Sequence, residues 1–233
     1  MSLNYMKSTP KKVILFDLDG TLIDSAPDLA LAVNHMLETL QREPFHADTI
    51  RSWVGNGAQT LVKRGLSGSS VIDDNIDPEL FAQALEIFLD FYAQNLCVST
   101  VTYPNVLTTL NTLKSKGYRL ALVTNKPYDF INPLLEGLAL TELFELCLGG
   151  NSLAKKKPDP MPLLHVCKQL GVDTSECIMI GDSKNDILAA SAANMQSIGV
   201  TYGYNYNEHI SHYEPDHVVE NIVEIIALIG ERS

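Results

Sequence analysis

The chain has 233 residues, with 17 Lys and Arg against 28 Asp and Glu, a formal charge of −11 at pH 7. Apolar residues make up 45% and charged residues 19%, a globular composition that excludes a disordered chain. The acidic balance argues against a nucleic-acid or membrane partner, because binding anionic backbones or headgroups needs a basic stripe; a small anionic substrate would need the sign reversed locally.

The N-terminal stretch is polar and basic from Lys7 to Lys12, with no apolar run long enough for a signal or a membrane span. Met6 would serve as a natural start as well as Met1. Val13-Ile14-Leu15-Phe16 is a short, continuous apolar run ending at Asp17, the pattern of a strand buried on both faces in a parallel sheet. Residues 23–98 carry no comparable run and read as an all-α insert. Ser25-Ala26-Pro27-Asp28 predicts a capping box opening a helix whose stripe is Leu29, Val33, Met36, Leu37 and Leu40. Asp77-Pro78-Glu79 opens a second long helix, and Gly55, Gly57, Gly65 and Gly68 suggest short helices joined by turns between the two.

Beyond the insert, strands are predicted at 119–123, 146–148, 177–180 and 197–200, with helices at 104–116, 159–170 and 185–194. Strands alternating with helices define a doubly wound α/β core, here 1–22 and 99–233, interrupted by the helical segment 23–98. The cysteines Cys97, Cys147, Cys167 and Cys177 form no C-x-x-C pair, so neither a zinc knuckle nor a disulfide framework is expected, and a reducing, cytoplasmic setting fits.

Three polar clusters fall at the C-terminal ends of predicted strands, the edge where open α/β sheets bind ligands: Asp17-Leu18-Asp19-Gly20-Thr21, Thr124-Asn125-Lys126, and Gly181-Asp182-Ser183-Lys184-Asn185-Asp186. Lys155-Lys156-Lys157-Pro158 precedes a helix on the same edge. Asp17, Asp19 and Asp182 would repel one another in a shared dry pocket, and a hard divalent cation such as Mg²⁺ resolves that repulsion. A cation, a lysine and hydroxyl and amide donors together make a receptor for a phosphoryl group. One carboxylate can then act as nucleophile and a second as general acid and base.

Asp17-Leu18-Asp19-Gly20-Thr21-Leu22 resembles the first motif of the haloacid-dehalogenase-superfamily phosphatases. Thr124-Asn125, Lys157-Pro158 and Gly181-Asp182 with Asp186 resemble the other three, in family order. Asp24-Ser25-Ala26-Pro27, Trp53-Val54-Gly55-Asn56-Gly57-Ala58, Val123-Thr124-Asn125-Lys126-Pro127 and Thr201-Tyr202-Gly203-Tyr204-Asn205-Tyr206 are similar to the phosphoglycolate phosphatases within it. The resemblance implies a Rossmann-like core with a small helical cap, and hydrolysis of 2-phosphoglycolate, a small phosphorylated carboxylate, through an aspartyl phosphate.

It implies Asp17 as nucleophile and Asp19 as acid and base. Mg²⁺ would be held by the Asp17 carboxylate, the Asp19 main-chain carbonyl and Asp182. Thr124 and Lys157 would contact the phosphoryl group, with Gly20, Thr21 and Asn125 beside it. Asp186 would steady Lys157 or a water. Arg64 is the first choice among Arg42, Arg51, Lys63 and Arg64 for the substrate carboxylate, because a planar guanidinium suits bidentate recognition.

Blander readings attach to other residues. Asp24, Asp28 and Asp173 are expected to cap or shape turns, Lys126 to point to solvent, His209 and His212 to form a surface pair, and Tyr202, Tyr204 and Tyr206 to pack at the sheet edge. A phosphomutase or dehalogenase of the same superfamily, and a receiver-type signalling domain, are the alternatives, the last disfavoured by length and insert. Monomer or weak dimer is the expected assembly.

Overall fold

The computed structural model of the protein describes residues 9–229; Met6, as a possible start, lies outside them. The core is a six-stranded, all-parallel sheet. In chain order its strands are β1 (Val13–Phe16), β4 (Arg119–Val123), β5 (Leu146–Leu148), β6 (Cys177–Gly181), β7 (Gln196–Val200) and β8 (His217–Val219), and their spatial order is β5-β4-β1-β6-β7-β8. The chain winds outward from β1 through β4 and β5, then returns to build β6, β7 and β8 on the other side. This is the doubly wound arrangement expected from the sequence, with its switch point at β1.

Alternation along the strands sorts the core into two layers. Ile14, Phe16, Leu120, Leu122, Ile178 and Ile180 face one side, with α5 (Val106–Ser115), α6 (Ile131–Gly137) and α9 (Ile225–Ile229). Val13, Leu15, Ala121, Val123, Cys177 and Met179 face the other, with α7 (Met161–Leu170) and α8 (Lys184–Ala192). Both sets are buried, which explains why these strands read as unbroken apolar runs.

Between β1 and β4 lie α1 (Ala26–Thr39), α2 (Ala47–Arg51), α3 (Ala58–Ser67) and α4 (Pro78–Gln94), bracketed by β2 (Ile23–Asp24) and β3 (Val101–Thr102). β2 and β3 pair antiparallel, Ile23 opposite Thr102 and Asp24 opposite Val101, so the insert leaves and re-enters the core through one two-stranded ribbon. Two-residue strands have no periodicity to detect, so β2 and β3 were absent from the predicted set; β8, His-Val-Val with only two apolar residues, was absent as well.

The start of α1 departs from the capping box expected at Ser25. Ser25 makes no side-chain cap, and its Oγ donates to Asp19 Oδ1 at 2.5 Å. Asp28 is fully buried and accepts from Ser99 N (2.9 Å), Thr100 N (2.9 Å) and Thr100 Oγ1 (2.7 Å). Its carboxylate therefore binds α1 to the strand returning to the core instead of capping its own helix. Asp173, by contrast, does form a capping box, with Glu176.

Asp28→Ala would leave these buried donors without their acceptor. It should lower unfolding free energy by roughly 2–4 kcal/mol, read from chemical denaturation; a loss below about 0.5 kcal/mol would contradict the role.

Candidate active site

Because β1, β4 and β6 are adjacent and parallel, their C-terminal ends deliver Asp17, Thr124 and Asp182 to one edge. Phe16 is level with Leu122 and with Ile180, and Asp17 N donates to Ile180 O at 3.0 Å. Asp17, Asp182 and Asp186 offer carboxylate oxygens within 4.8 Å of one another. Lys157, 1% exposed, stands among them: its Nζ is 3.0 Å from Asp17 Oδ1 and 2.6 Å from Asp186 Oδ1, and it also donates to Val123 O. Asp186 Oδ2 accepts from Ser183 N and Oγ, so one carboxylate caps α8 and holds the lysine.

Asp182 is fixed from three directions. Thr21 Oγ1 donates to Oδ1 at 2.8 Å and Tyr204 N to Oδ2 at 2.7 Å. Gly20 (φ +88°) and Gly203 press on the same group: a Cβ at either would stand 2.2 Å from Asp182 Oδ2. Only glycine leaves room for the carboxylate at those two positions.

The Asp19 carboxylate is not part of this cluster. It turns to Lys126, whose Nζ lies 3.0 and 3.2 Å from its two oxygens, and to Ser25 Oγ. Lys126 was expected in solvent. Instead it is 4% exposed, with its ammonium 4.8 Å from the centre of the Tyr92 ring. Its position directly after Thr124-Asn125 was the available signal, since a residue following a strand end can turn back over the edge.

Asp17, Asp19, Thr124, Asn125 and Lys126 line one cavity of about 30 Å³. Its far wall comes from the insert: Leu29, Val54, Gly55, Gly57, Ala58, Leu61, Phe88 and Tyr92. The Gly55-Asn56-Gly57 loop is pinned by the core. Asn125 Nδ2 donates to Gly55 O (3.1 Å) and Lys157 O (3.0 Å), Asn185 Nδ2 donates to Gly55 O (3.2 Å), and Lys156 Nζ donates to Asn56 O (2.6 Å).

Several expected residues occupy other places. Arg64 lines a second, larger cavity of about 1260 Å³ with Asn125, Lys156 and Lys157, while its guanidinium donates to Trp53 O (2.6 Å) and Ser70 O (3.1 Å) and lies over Tyr206. The Thr21 hydroxyl is directed at Asp182 and Gly20 packs closely against the same carboxylate, so both shape the acidic cluster. Tyr202, Tyr204 and Tyr206 do more than pack: their hydroxyls donate to Thr21 O, Asp24 Oδ1 and Asn56 Oδ1. Asp24 also takes both its Arg51 contacts at 3.0 Å, a role larger than the turn assigned to it. His209 and His212 are an exposed pair with Ser211 as polar neighbour.

Four carboxylates here face two buried ammonium groups. Burial first, then neighbouring Asp186 and Asp19, push Asp17 up to about 7 against the pull of Lys157. Burial and the Asp17 charge push Asp182 up to about 8. Asp17 Oδ1 is buried and, although 3.0 Å from Lys157 Nζ, accepts no hydrogen bond of good geometry. An acceptor-only set of hard oxygens, one of them unpartnered, fits a small divalent cation.

The chain belongs to the haloacid dehalogenase-like hydrolase family, whose model matches residues 14–200. It is 55% identical over 221 residues to a phosphoglycolate phosphatase of Colwellia psychrerythraea, covering 95% of this chain and 98% of that one. It is 46% identical to a phosphoglycolate phosphatase of Psychrobacter arcticus, over 93% and 94% of the two chains. A crystal structure described as a predicted phosphoglycolate phosphatase from Haemophilus somnus superposes with a TM-score of 0.88 at 37% identity, over 94% and 98% of the chains. The chain is thus a hydrolase of this family, and no helix among the described residues is long and apolar enough to cross a membrane.

Acid groups raised in the folded state hold protons that the unfolded chain has released. Metal-free protein should therefore lose stability as pH rises from about 4 through about 8, and Mg²⁺ should raise the melting temperature more at pH 8 than at pH 6. Equal Mg²⁺ shifts at the two pH values would contradict the assignment of these carboxylates.

Proposed function

We propose that the chain hydrolyses 2-phosphoglycolate to glycolate and phosphate in a Mg²⁺-dependent reaction, with residues 23–98 acting as a mobile cap. The observation that carries the reading is that Asp17, Asp19, Thr124 and Lys126 line one cavity under the insert. The names of the relatives supply the substrate class.

Asp17 and Asp182 would hold Mg²⁺ together with the Asp19 main-chain carbonyl, and the bound ion supplies charge neutralisation and polarises a phosphoryl oxygen. Lys157 and Thr124 orient the phosphoryl group from the strand edge. The Asp17 carboxylate attacks phosphorus, the bond from phosphorus to the glycolate oxygen breaks, and Asp19 gives that oxygen its proton. Asp19, now a carboxylate, takes a proton from the attacking water; the phosphorus–Asp17 bond breaks, phosphate leaves and Asp17 is restored. Asp186 keeps Lys157 in place throughout.

Lys126, rather than Arg64, is the cation inside the cavity, and we assign it the anionic end of the substrate. A cavity of about 30 Å³ holds roughly two waters. It adjoins a larger cavity of about 1260 Å³ that shares Gly57, Ala58 and Asn125, and lifting of the Gly55-Asn56-Gly57 loop from Asn125, Lys156 and Asn185 would admit substrate, with its return excluding bulk water. The free cysteines suit the cytoplasm.

Phosphate release from a panel of small esters tests the substrate. Phosphoglycolate should be preferred, and excess chelator should abolish turnover; strong activity on another ester, or transfer of the phosphoryl group without release, would replace the substrate assignment. Asp17→Asn should reduce turnover by at least roughly 10³-fold, and near-normal turnover would exclude it as nucleophile.

Lys126→Met should reduce kcat/KM for phosphoglycolate by roughly 10²-fold, with Arg64→Ala within about threefold of the parent. The reverse ranking would restore Arg64 to the substrate carboxylate.

A further inference from the structure

We propose that Tyr204 is a positioning residue that ties the metal-site carboxylate Asp182 to the hinge of the cap. The inference rests on the reading of Asp182 as a metal ligand and adds a connection to it. At the backbone, Tyr204 N donates to Asp182 Oδ2 at 2.7 Å, and Gly203 beside it closes off the carboxylate's other side.

At the far end, the Tyr204 hydroxyl meets the hinge. It donates to Asp24 Oδ1 at 2.6 Å and accepts from Ser25 N at 2.8 Å and Ala26 N at 3.1 Å. One donor and two acceptor sites are the whole capacity of a phenol, so this group is saturated. Asp24 belongs to β2, and Ser25 and Ala26 open α1, the first helix of the insert. Arg51, the last residue of α2, donates to both Asp24 oxygens and lies 4.6 Å from the Tyr204 ring centre. Ser25 in turn bonds Asp19.

One side chain thus has a metal-site carboxylate at its backbone, and at its tip the hinge, the cap's Arg51 and, through Ser25, the acid–base residue. Rotation of the insert about β2 and β3 moves Asp24 and Ser25. Tyr204 then either follows, disturbing the N–H on Asp182, or gives up its bonds to the hinge. A cavity of about 290 Å³ lined by Arg51, Asp182, Gly203 and Tyr204 borders this segment. The flanking tyrosines extend the link, Tyr202 to the loop carrying Thr21 and Tyr206 to Asn56 of the cap loop. The alternation of tyrosines after β7 is accounted for by this chain of contacts.

Linkage of this kind is reciprocal: if cap position affects Asp182, metal binding must affect the cap. Trp53, the sole tryptophan, is 3% exposed and lies two residues beyond Arg51, so its emission reports on the cap. Mg²⁺ titrations of the parent, Tyr204→Phe and Asp24→Asn, followed by calorimetry and by Trp53 fluorescence, test the proposal. The parent should bind Mg²⁺ with a change in Trp53 emission. Both variants should bind it roughly three- to tenfold more weakly, lose the emission change, and lose kcat by roughly tenfold with KM altered less.

A folded Tyr204→Phe protein with parental Mg²⁺ affinity and a parental Trp53 response overturns the proposal, even if its melting temperature is lower. If that variant does not fold, Asp24→Asn decides by the same two readouts. Failure of the parent to bind Mg²⁺ in the calorimeter is a different result, and it removes the metal reading together with the tie built on it.

Discussion

Four carboxylates and two ammonium groups share one nearly dry strand edge, and the rest of the molecule is arranged around that imbalance. Lys157 is held between Asp17 and Asp186, and Lys126 is held on Asp19. Asp182 has hydrogen bonds from Thr21 and Tyr204 but no cation of its own among the described residues. Burying carboxylates without enough counter-charge raises the free energy of their ionised forms, which is why Asp17 and Asp182 move up to about 7 and about 8. The parallel sheet makes such crowding possible. Three adjacent strands end on one side, and short glycine turns let their first loop residues approach more closely than side chains on separate helices would.

The net charge of −11 is consequently a poor guide to what the site accepts. Much of the acidity is on the surface, while the acidity inside is assigned to the cation-holding group. Lys126 and Lys157 are both within the buried edge, where a low dielectric strengthens their pull on an anion. The cap supplies the dry side of that environment. Its contribution to the cavity is apolar, from Leu29, Leu61 and Phe88, and it adds no cation.

The sequence reveals the fold where burial is two-sided, and the ordered motifs name the candidate residues that the strand ends bring together. Fully buried strands such as Val13–Phe16 show as apolar runs, and the strand-end clusters follow directly from them. The β2 and β3 ribbon was hidden because two residues carry no period. Ser25 was misplaced because a serine before Ala-Pro-Asp satisfies the local rule for a cap, while Asp19, six residues back, competes for its hydroxyl. Lys126 and Tyr204 were missed for a related reason. A lysine in a polar loop and a tyrosine in an alternating run have unremarkable local contexts, and only the tertiary pairings with Asp19, Asp24 and Asp182 give them roles.

The pairing of Lys126 with Asp19 bears on the order of events in the proposed reaction. Asp19 holds Lys126 and accepts from Ser25 Oγ, so the proposed acid–base residue and the cation beside it occupy each other. In the proposed reaction an anionic substrate would compete with Asp19 for the Lys126 ammonium, leaving Ser25 Oγ as the remaining partner of Asp19, and departure of the product would let Lys126 return. A fixed arginine on the cap, bonded as Arg64 is to Trp53 O and Ser70 O, has no such exchange available to it.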